Sequence, residues 1–460
     1  MSETLYNLPS EYHIDSIELK SSVNDRLFEL LYLYSQITIN EGINFPFMYG
    51  TISIVDTNGI IENLPIIGEE TITFKLKKKS GDKKYFEVKG SVYKISNRTK
   101  DPTKKVEYYD LEFITESALM NQVKRVSKTY NGTVSEAIEK ISKEYFELER
   151  IKKIDEDNPK PYTTILIEDT MDKNKINIPN MNPLDSIDFL SDYFSYSKGS
   201  KSDKNPFNTT FNFFQTRQGF FFQSMENLIQ ERSKDIKHEY FLINDLFIKD
   251  ESVVVEQNDI YTASDYKLLN FYDNFSSSNN GYYGGTNFAY DSLTKTLHEY
   301  KLNYNQKFDD MSHLDKNNTN TDEFIFNKKP EKTLILSLCT NKGRADDKKN
   351  YIKDHTTDEI FYCREDEVDL LKNTKQERFN NGLVVEMTVP SNINLNVCDV
   401  INLKFPSFQR EGNKKDYRDD KYFSGNYIVI SIQHVLSNIE EKSWNMVVTL
   451  MKDSYKSEIK

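Results

Sequence analysis

Histidine, cysteine and clustered lysine are the residue types in this chain whose chemistry depends most on spacing. The six histidines are His13, His238, His298, His313, His355 and His434. A metal centre needs ligands that recur at short intervals, as in an HExxH helix, and no such pair occurs. Cys339, Cys363 and Cys398 stand far apart with no CxxC. Neither a zinc knuckle nor a disulfide framework is expected, and the chain suits a reducing compartment during folding. There is no GxSxG elbow, phosphate-binding loop or kinase set. A pair of carboxylates for glycoside hydrolysis needs no sequence proximity, so that chemistry stays open, but 72 acidic residues single out no pair. The run "KLKKKSGDKK" (75–84) is the sharpest basic cluster. Its Ser-Gly-Asp centre predicts a solvated hairpin tip. The net charge of −12 argues against tightly held nucleic acid, which requires concentrated Lys and Arg. We therefore assign no catalytic, cofactor-binding or metal-ligating residue, and no enzyme activity is expected.

His434 illustrates the choice between chemistry and structure. In "YFSGNYIVISIQHVLSN" (422–438), Tyr427, Val429, Ser431, Gln433 and Val435 alternate with Ile428, Ile430, Ile432 and His434. That period of two predicts a strand. Gly425-Asn426 opens it, and "SWNMVVTLMKD" returns as the second arm of a hairpin. No acid or nucleophile is visible beside His434, so a structural role is expected.

The elements around it are mostly strands. Residues 1–114 carry short alternating segments between turn signals, with Gly90 expected to mark a bulge or bend; such a set suits a small β-barrel or sandwich. The period then changes. In "TESALMNQVKRVSKTY", Leu119, Val123, Val126 and Tyr130 are expected on one helical face that stops at Asn131-Gly132. Thr133 to Glu136 forms a capping box for a second helix, with Val134, Ala137, Ile138, Ile141 and Tyr145 inward. A third helix starts with Asn182 as cap and Pro183 at its first position, and buries Leu184, Ile187, Leu190 and Phe194. "TTFNFFQTRQGFFFQSMENLI" predicts an aromatic hairpin that packs as core and is less suited to a ligand platform. "SSSNNGYYGGT" (276–286) is expected to be loop, not a dinucleotide-binding turn. Residues 305–332 and 341–378 are polar around one apolar strand, "TLILSLC", and sheet resumes after 378. The fold class expected is α+β, mainly β: two small antiparallel β-barrel domains flanking an α+β section with a helix pair. The boundaries are 1–114, 115–245 and 246–460, the last with a polar excursion over about 280–378. With no charged-then-apolar leader and no run long enough to span a bilayer, no membrane contact is expected.

In this order the segments resemble the central baseplate hub protein of contractile-tailed bacteriophages of the T-even type. The likeness rests on "FMYGTISIVDTNGIIENLPIIGEETITF", "YYDLEFITESALMNQVKRVSKTYNGTVSEAIEKI" and "IPNMNPLDSIDFLSDYFSYS" with the aromatic hairpin. It ends with "RFNNGLVVEMTVPSNINLNVCDVINLKFP" and the C-terminal hairpin. The resemblance implies a homotrimer, a torus with two β-barrels per chain that joins the tail tube, or a tube-initiator protein, to a central spike protein. It also implies contacts with other baseplate proteins, and a channel through which DNA passes without specific binding. The site would be the virion tail baseplate, after assembly in the host cytoplasm, and no cofactor is implied. Two other readings remain: a phage-associated cell-wall hydrolase, and the spike-hub of a bacterial contractile injection machine.

Overall fold

Strict alternation builds the main sheet. In the strand Leu383–Pro390, Leu383, Val385, Met387 and Val389 are buried and the residues between them are half-buried; a strand with one face on a core shows this pattern. The computed structural model describes residues 10–458, except 24–25, 64–65, 79–84, 156–158, 172–173, 195–196, 199–206, 243–259, 271–272, 292–294, 322, 329–333, 340–350, 354–359, 363–365, 408–418 and 440–441. The expected hairpin tip at 79–84 and the side chain of Phe194 lie outside the described residues.

Fourteen strands form one sheet. It runs from Thr262–Ala263 through Glu239–Leu242, Val400–Lys404 and Gly425–Ser437 into the N-terminal strands, and ends at Leu27–Glu29. A branch leaves Gly425–Ser437 through Ser443–Lys452 and Leu383–Pro390 to Asp265–Asn270. The decisive join is between Gly425–Ser437 and Tyr34–Gly42, antiparallel from Ser431 opposite Gly42 to Ser437 opposite Gln36. This corrects the expected architecture. Among the described residues no sheet closes on itself, so the chain does not carry two separate β-barrels. The strand edges expected to close each barrel are instead spent on each other, because unpaired backbone groups at an edge are satisfied equally well by a distant strand. The two-barrel torus implied by the T-even-type hub resemblance is overturned by the same finding. What holds is a mixed α+β fold, mainly β.

Four apolar clusters are present among the described residues, a small one around Leu302, Tyr304, Phe308 and Leu370 and three larger ones that follow this topology. One fills the N-terminal strands and takes in Leu436 and Trp444 from the C-terminal hairpin. A second lies under the C-terminal strands and includes Phe214, Phe221 and Met225. The third packs the helix Val134–Phe146 and Ile187 and Leu190 against the other face of the aromatic hairpin, through Phe211, Phe213, Phe220 and Phe222. That hairpin, Phe211–Thr216 with Gly219–Ser224, is core as expected. Its alternate residues serve two different cores.

The local expectations divide. The capping box is present: the Thr133 hydroxyl accepts from Glu136 N at 3.3 Å and Glu136 Oε2 accepts from Thr133 N at 3.2 Å. All five predicted inward residues of that helix are buried. The helix before it is shorter than expected, Glu116–Val123, and Val126–Gly132 is a strand paired with Asn174–Met181. Val126 and Tyr130 share a face in either conformation, since four residues is an even spacing as well as one helical turn. Leu119 and Val123 are exposed, while Ala118 and Asn121 face inward. Asn182 precedes its helix, but Asn182 Oδ1 is buried without a partner, and the backbone carbonyl takes the Ser186 bonds. Gly90 keeps regular register with Ile72; the bulges fall at Val92/Lys94 and Ser96/Thr99. Gly90 leaves room for the Phe113 ring, which a Cβ would meet at 2.8 Å. The segment expected to be loop at 276–286 contains most of a helix, Asn274–Asn280, capped by Asp273 and ended by left-handed Gly281. The strand Gly284–Asp291 follows.

Candidate functional site

His434 sits where the N- and C-terminal strands meet, fully buried. The Trp444 indole Nε1 donates to His434 Nδ1 at 3.3 Å, and His434 Nε2 lies 3.1 Å from Glu41 Oε1. Because an indole can only donate, Nδ1 is the acceptor and Nε2 carries the proton. Burial holds the imidazole below its usual range, outweighing the pull of Glu41. His434 is therefore a neutral bridge. Glu41, also fully buried, is pushed up by burial but held below its ordinary value on balance, by the Arg217 charge first and the His434 hydrogen bond next. Arg217 N donates to Glu41 Oε2 at 2.8 Å, and Arg217 Nε stands 3.6 Å from Oε1.

Arg217 is the tip of the aromatic hairpin. A turn reading "TRQG" suggests exposure, yet the hairpin inserts beneath the sheet junction and leaves Arg217 6% exposed. Its Nη2 donates to the Leu395 carbonyl, and Nε and Nη2 reach Asn396 Oδ1 at 3.3 and 3.2 Å. Nη1 is buried without a partner. Leaving such a donor unmet costs about 1–3 kcal/mol, and more when it is charged.

Beyond Arg217 opens a cleft of about 320 Å³. The start of the strand Tyr85–Asp101, Pro159 and Pro161, the hairpin tip, residues 231–238 and the 393–400 segment enclose it. Phe86 of the N-terminal core and Val400 of the C-terminal core both line it. Its three cations are already matched: Arg217 with Glu41, Arg232 with Asp399 at 3.4 Å, and Lys237 with Asp235 at 3.9 Å. Burial pushes the Asp399 carboxyl above its usual range, against Arg232. His238 Nε2 lies 3.3 Å from the Asn394 carbonyl, and His238 Nδ1 is buried without a partner.

No catalytic arrangement emerges from these groups. Among the described residues no three His, Cys, Asp or Glu side chains are grouped to hold a metal. Burial pushes the Cys398 thiol well up, so it stays protonated and is a poor nucleophile. Of the other histidines, His313 Nδ1 lies 2.8 Å from Asp453 Oδ2, and its ring stacks on Phe308 with centroids 3.7 Å apart. That contact helps dock the polar 304–328 segment onto the C-terminal hairpin, where Lys452 meets Asp315 at 3.0 Å. Sequence reading missed Glu41, Arg217 and His238. The contacts that bury them cross 150 residues or more, and nothing local signals them.

No protein-family model and no curated protein matches the chain. Two solved structures share its fold from end to end. The tail protein from Neisseria meningitidis MC58 has a TM-score of 0.53 at 8% identity, covering 97% of this chain and 99% of its own. The 43 kDa tail protein of prophage MuSo2 from Shewanella oneidensis has a TM-score of 0.51 at 8% identity, covering 97% and 100%. At that identity the likeness is one of fold.

Proposed function

We propose that this chain is a structural, non-enzymatic component of a phage tail or related injection apparatus. In this reading it forms a homotrimeric ring that joins the tail tube to the central spike. The observation that carries the proposal is the likeness to two tail proteins over nearly the whole of both chains. The matched charges are further support, since networks such as Glu41–Arg217–His434 hold elements together. The partners would be the spike, a tube or tube-initiator protein and other baseplate proteins, in a virion assembled in the host cytoplasm. A net charge of −12 suits a wall past which DNA slides, because it repels phosphate. Among the described residues no helix is long and apolar enough to cross a membrane. We propose also that the chain divides into the units 1–114, 115–245 and 246–460.

Sedimentation of the purified chain, alone and with its spike partner, is the test. Three copies of a 54.0 kDa chain are expected in one species. A permanent ring of this kind should bury roughly 2,000 Å² or more per interface. A monomer in both samples would overturn the reading, as would hydrolysis of peptidoglycan by the chain alone.

A further inference from the structure

We infer that the outer face of the four strands where the two ends of the chain meet is a wall past which a nucleic-acid duplex slides, a reading that rests on the ring proposed above. The strands are Ser443–Lys452, Gly425–Ser437, Tyr34–Gly42 and Tyr49–Asp56, paired in that order. Their inner positions are buried, and pairing in register turns the others to one common face. Asn445, Val435, Thr38 and Thr51, for example, stand side by side across all four strands. Every half-buried position over 443–449, 431–437, 36–40 and 49–55 is Ser, Thr, Asn, Gln, Val or Tyr. None is charged, in a chain where 29% of residues are. A soluble surface open to bulk water carries charge on roughly a quarter to a third of its residues. A neutral face this wide is turned to something else.

Charge resumes at both borders of the face, and it is acidic there. Glu386 lies opposite Thr449 on one side, and Glu112 and Asp110 lie opposite Thr51 and Ser53 on the other. A phosphate backbone is repelled at the borders and meets no Lys or Arg between them. Hydroxyl and amide side chains can touch phosphate oxygens in passing, but holding a duplex takes cations that release its counterions. This is the chemistry of a sliding contact. A contact between copies fits less well, although it too would exclude charge. Interface centres favour aromatic residues, Met and Arg and are poor in Ser. Four strands about 4.8 Å apart, over about seven residues of about 3.4 Å each, cover only roughly 450 Å². A stable contact buries about 800 Å² on each partner.

The test uses the full chain with Thr38→Lys, Thr51→Lys and Asn445→Lys combined, and one plasmid in linear and in closed form. The natural ring should retain neither form. The triple variant should retain the linear plasmid at least roughly tenfold more tightly than the closed one, because only a free end can thread a ring, and added salt should release it. A control with Leu119→Lys, Gln122→Lys and Val123→Lys, on the exposed face of the helix Glu116–Val123, should not distinguish the two forms. Sedimentation of the same samples separates this wall from the ring. A natural chain that stays monomeric removes both. A triple variant that remains trimeric and binds both forms equally, or neither, overturns the wall and leaves the ring standing; so does retention of the plasmid by the natural ring. A folded triple variant that falls to monomers makes the face a contact between copies and overturns the wall as well. Where the triple variant does not fold, Thr38→Lys alone carries the same comparison.

Discussion

At the residue scale the seam between the two ends of the chain depends on Glu41, Arg217 and His434. Removing one member of a buried charged pair leaves the other unmatched, and that costs about 3–5 kcal/mol. Glu41→Gln should therefore lower stability by that order in urea unfolding. Glu144→Gln, which breaks an ion pair with Lys128 on the surface, should change it little. A small loss in Glu41→Gln would show that the buried pair contributes little. The pH dependence follows from direction. His434 in the folded chain lies below its ordinary 6.5 and Glu41 below 4.5. For both groups the unfolded chain binds protons first, so stability is complete above about 6.5 and falls as pH drops. His434→Gln should remove the upper part of that fall and leave the part below about 4.5 due to Glu41. A pH profile identical to that of the natural chain would deny His434 its buried neutral role. None of this network was legible in the sequence. His434 was readable as a strand residue, but Glu41 ends an ordinary alternating strand and Arg217 occupies an ordinary turn.

At the scale of elements, what was legible is what short-range physics decides. The capping box at Thr133 and Glu136, the aromatic hairpin and the C-terminal hairpin each depend on residues within a few positions. They appear where the pattern places them. The failures occur where two conformations share a spacing, as at Val126 and Tyr130, or where composition hides a cap, as Asp273 does before Asn274–Asn280. Thr133→Ala should cost about 1 kcal/mol. Combining it with Glu136→Ala should cost less than the sum of the two, because each substitution already breaks the shared box. Strictly additive losses in denaturant titrations would mean that the two bonds do not work as a unit. Gly50 tests packing between strands. A Cβ there would sit 2.3 Å from the Thr38 carbonyl oxygen and 2.5 Å from Phe113 Cζ, the ring that also covers Gly90. Gly50→Ala should destabilise by about 1–3 kcal/mol through overpacking. Adding Phe113→Leu should recover part of that loss; a double variant no better than Gly50→Ala would place the strain elsewhere.

At the scale of the whole molecule, the sheet topology makes the two ends of the chain depend on each other. Pairings hundreds of residues apart are decided by which edges meet in space, and no local pattern encodes that choice. The expectation of separate barrels went wrong on this point. Trp444, the single tryptophan, shows the consequence. It lies on the C-terminal hairpin, yet packs in the core of the N-terminal strands together with Leu436. Trp444 N donates to the Ser10 carbonyl at 2.7 Å, and Tyr12 Oη donates to the Ser437 carbonyl at 3.0 Å. A fragment of residues 1–114 would lose both side chains, both bonds and the strand that covers Tyr34–Gly42. Truncating one large buried side chain alone costs about 3–5 kcal/mol, a large part of a domain's net stability of about 5–15 kcal/mol. The isolated fragment should therefore show no cooperative unfolding transition. In the full chain, Trp444 emission should report the N-terminal sheet and the C-terminal hairpin at once, so its urea midpoint should coincide with loss of the β signal in circular dichroism. Adding a peptide that spans Gly425–Lys452 to the fragment should restore a transition, because it returns the missing strand and both core residues. A fragment that unfolds alone at the midpoint of the full chain would show that the N-terminal strands are self-sufficient and that the join to the C-terminal hairpin is only a contact.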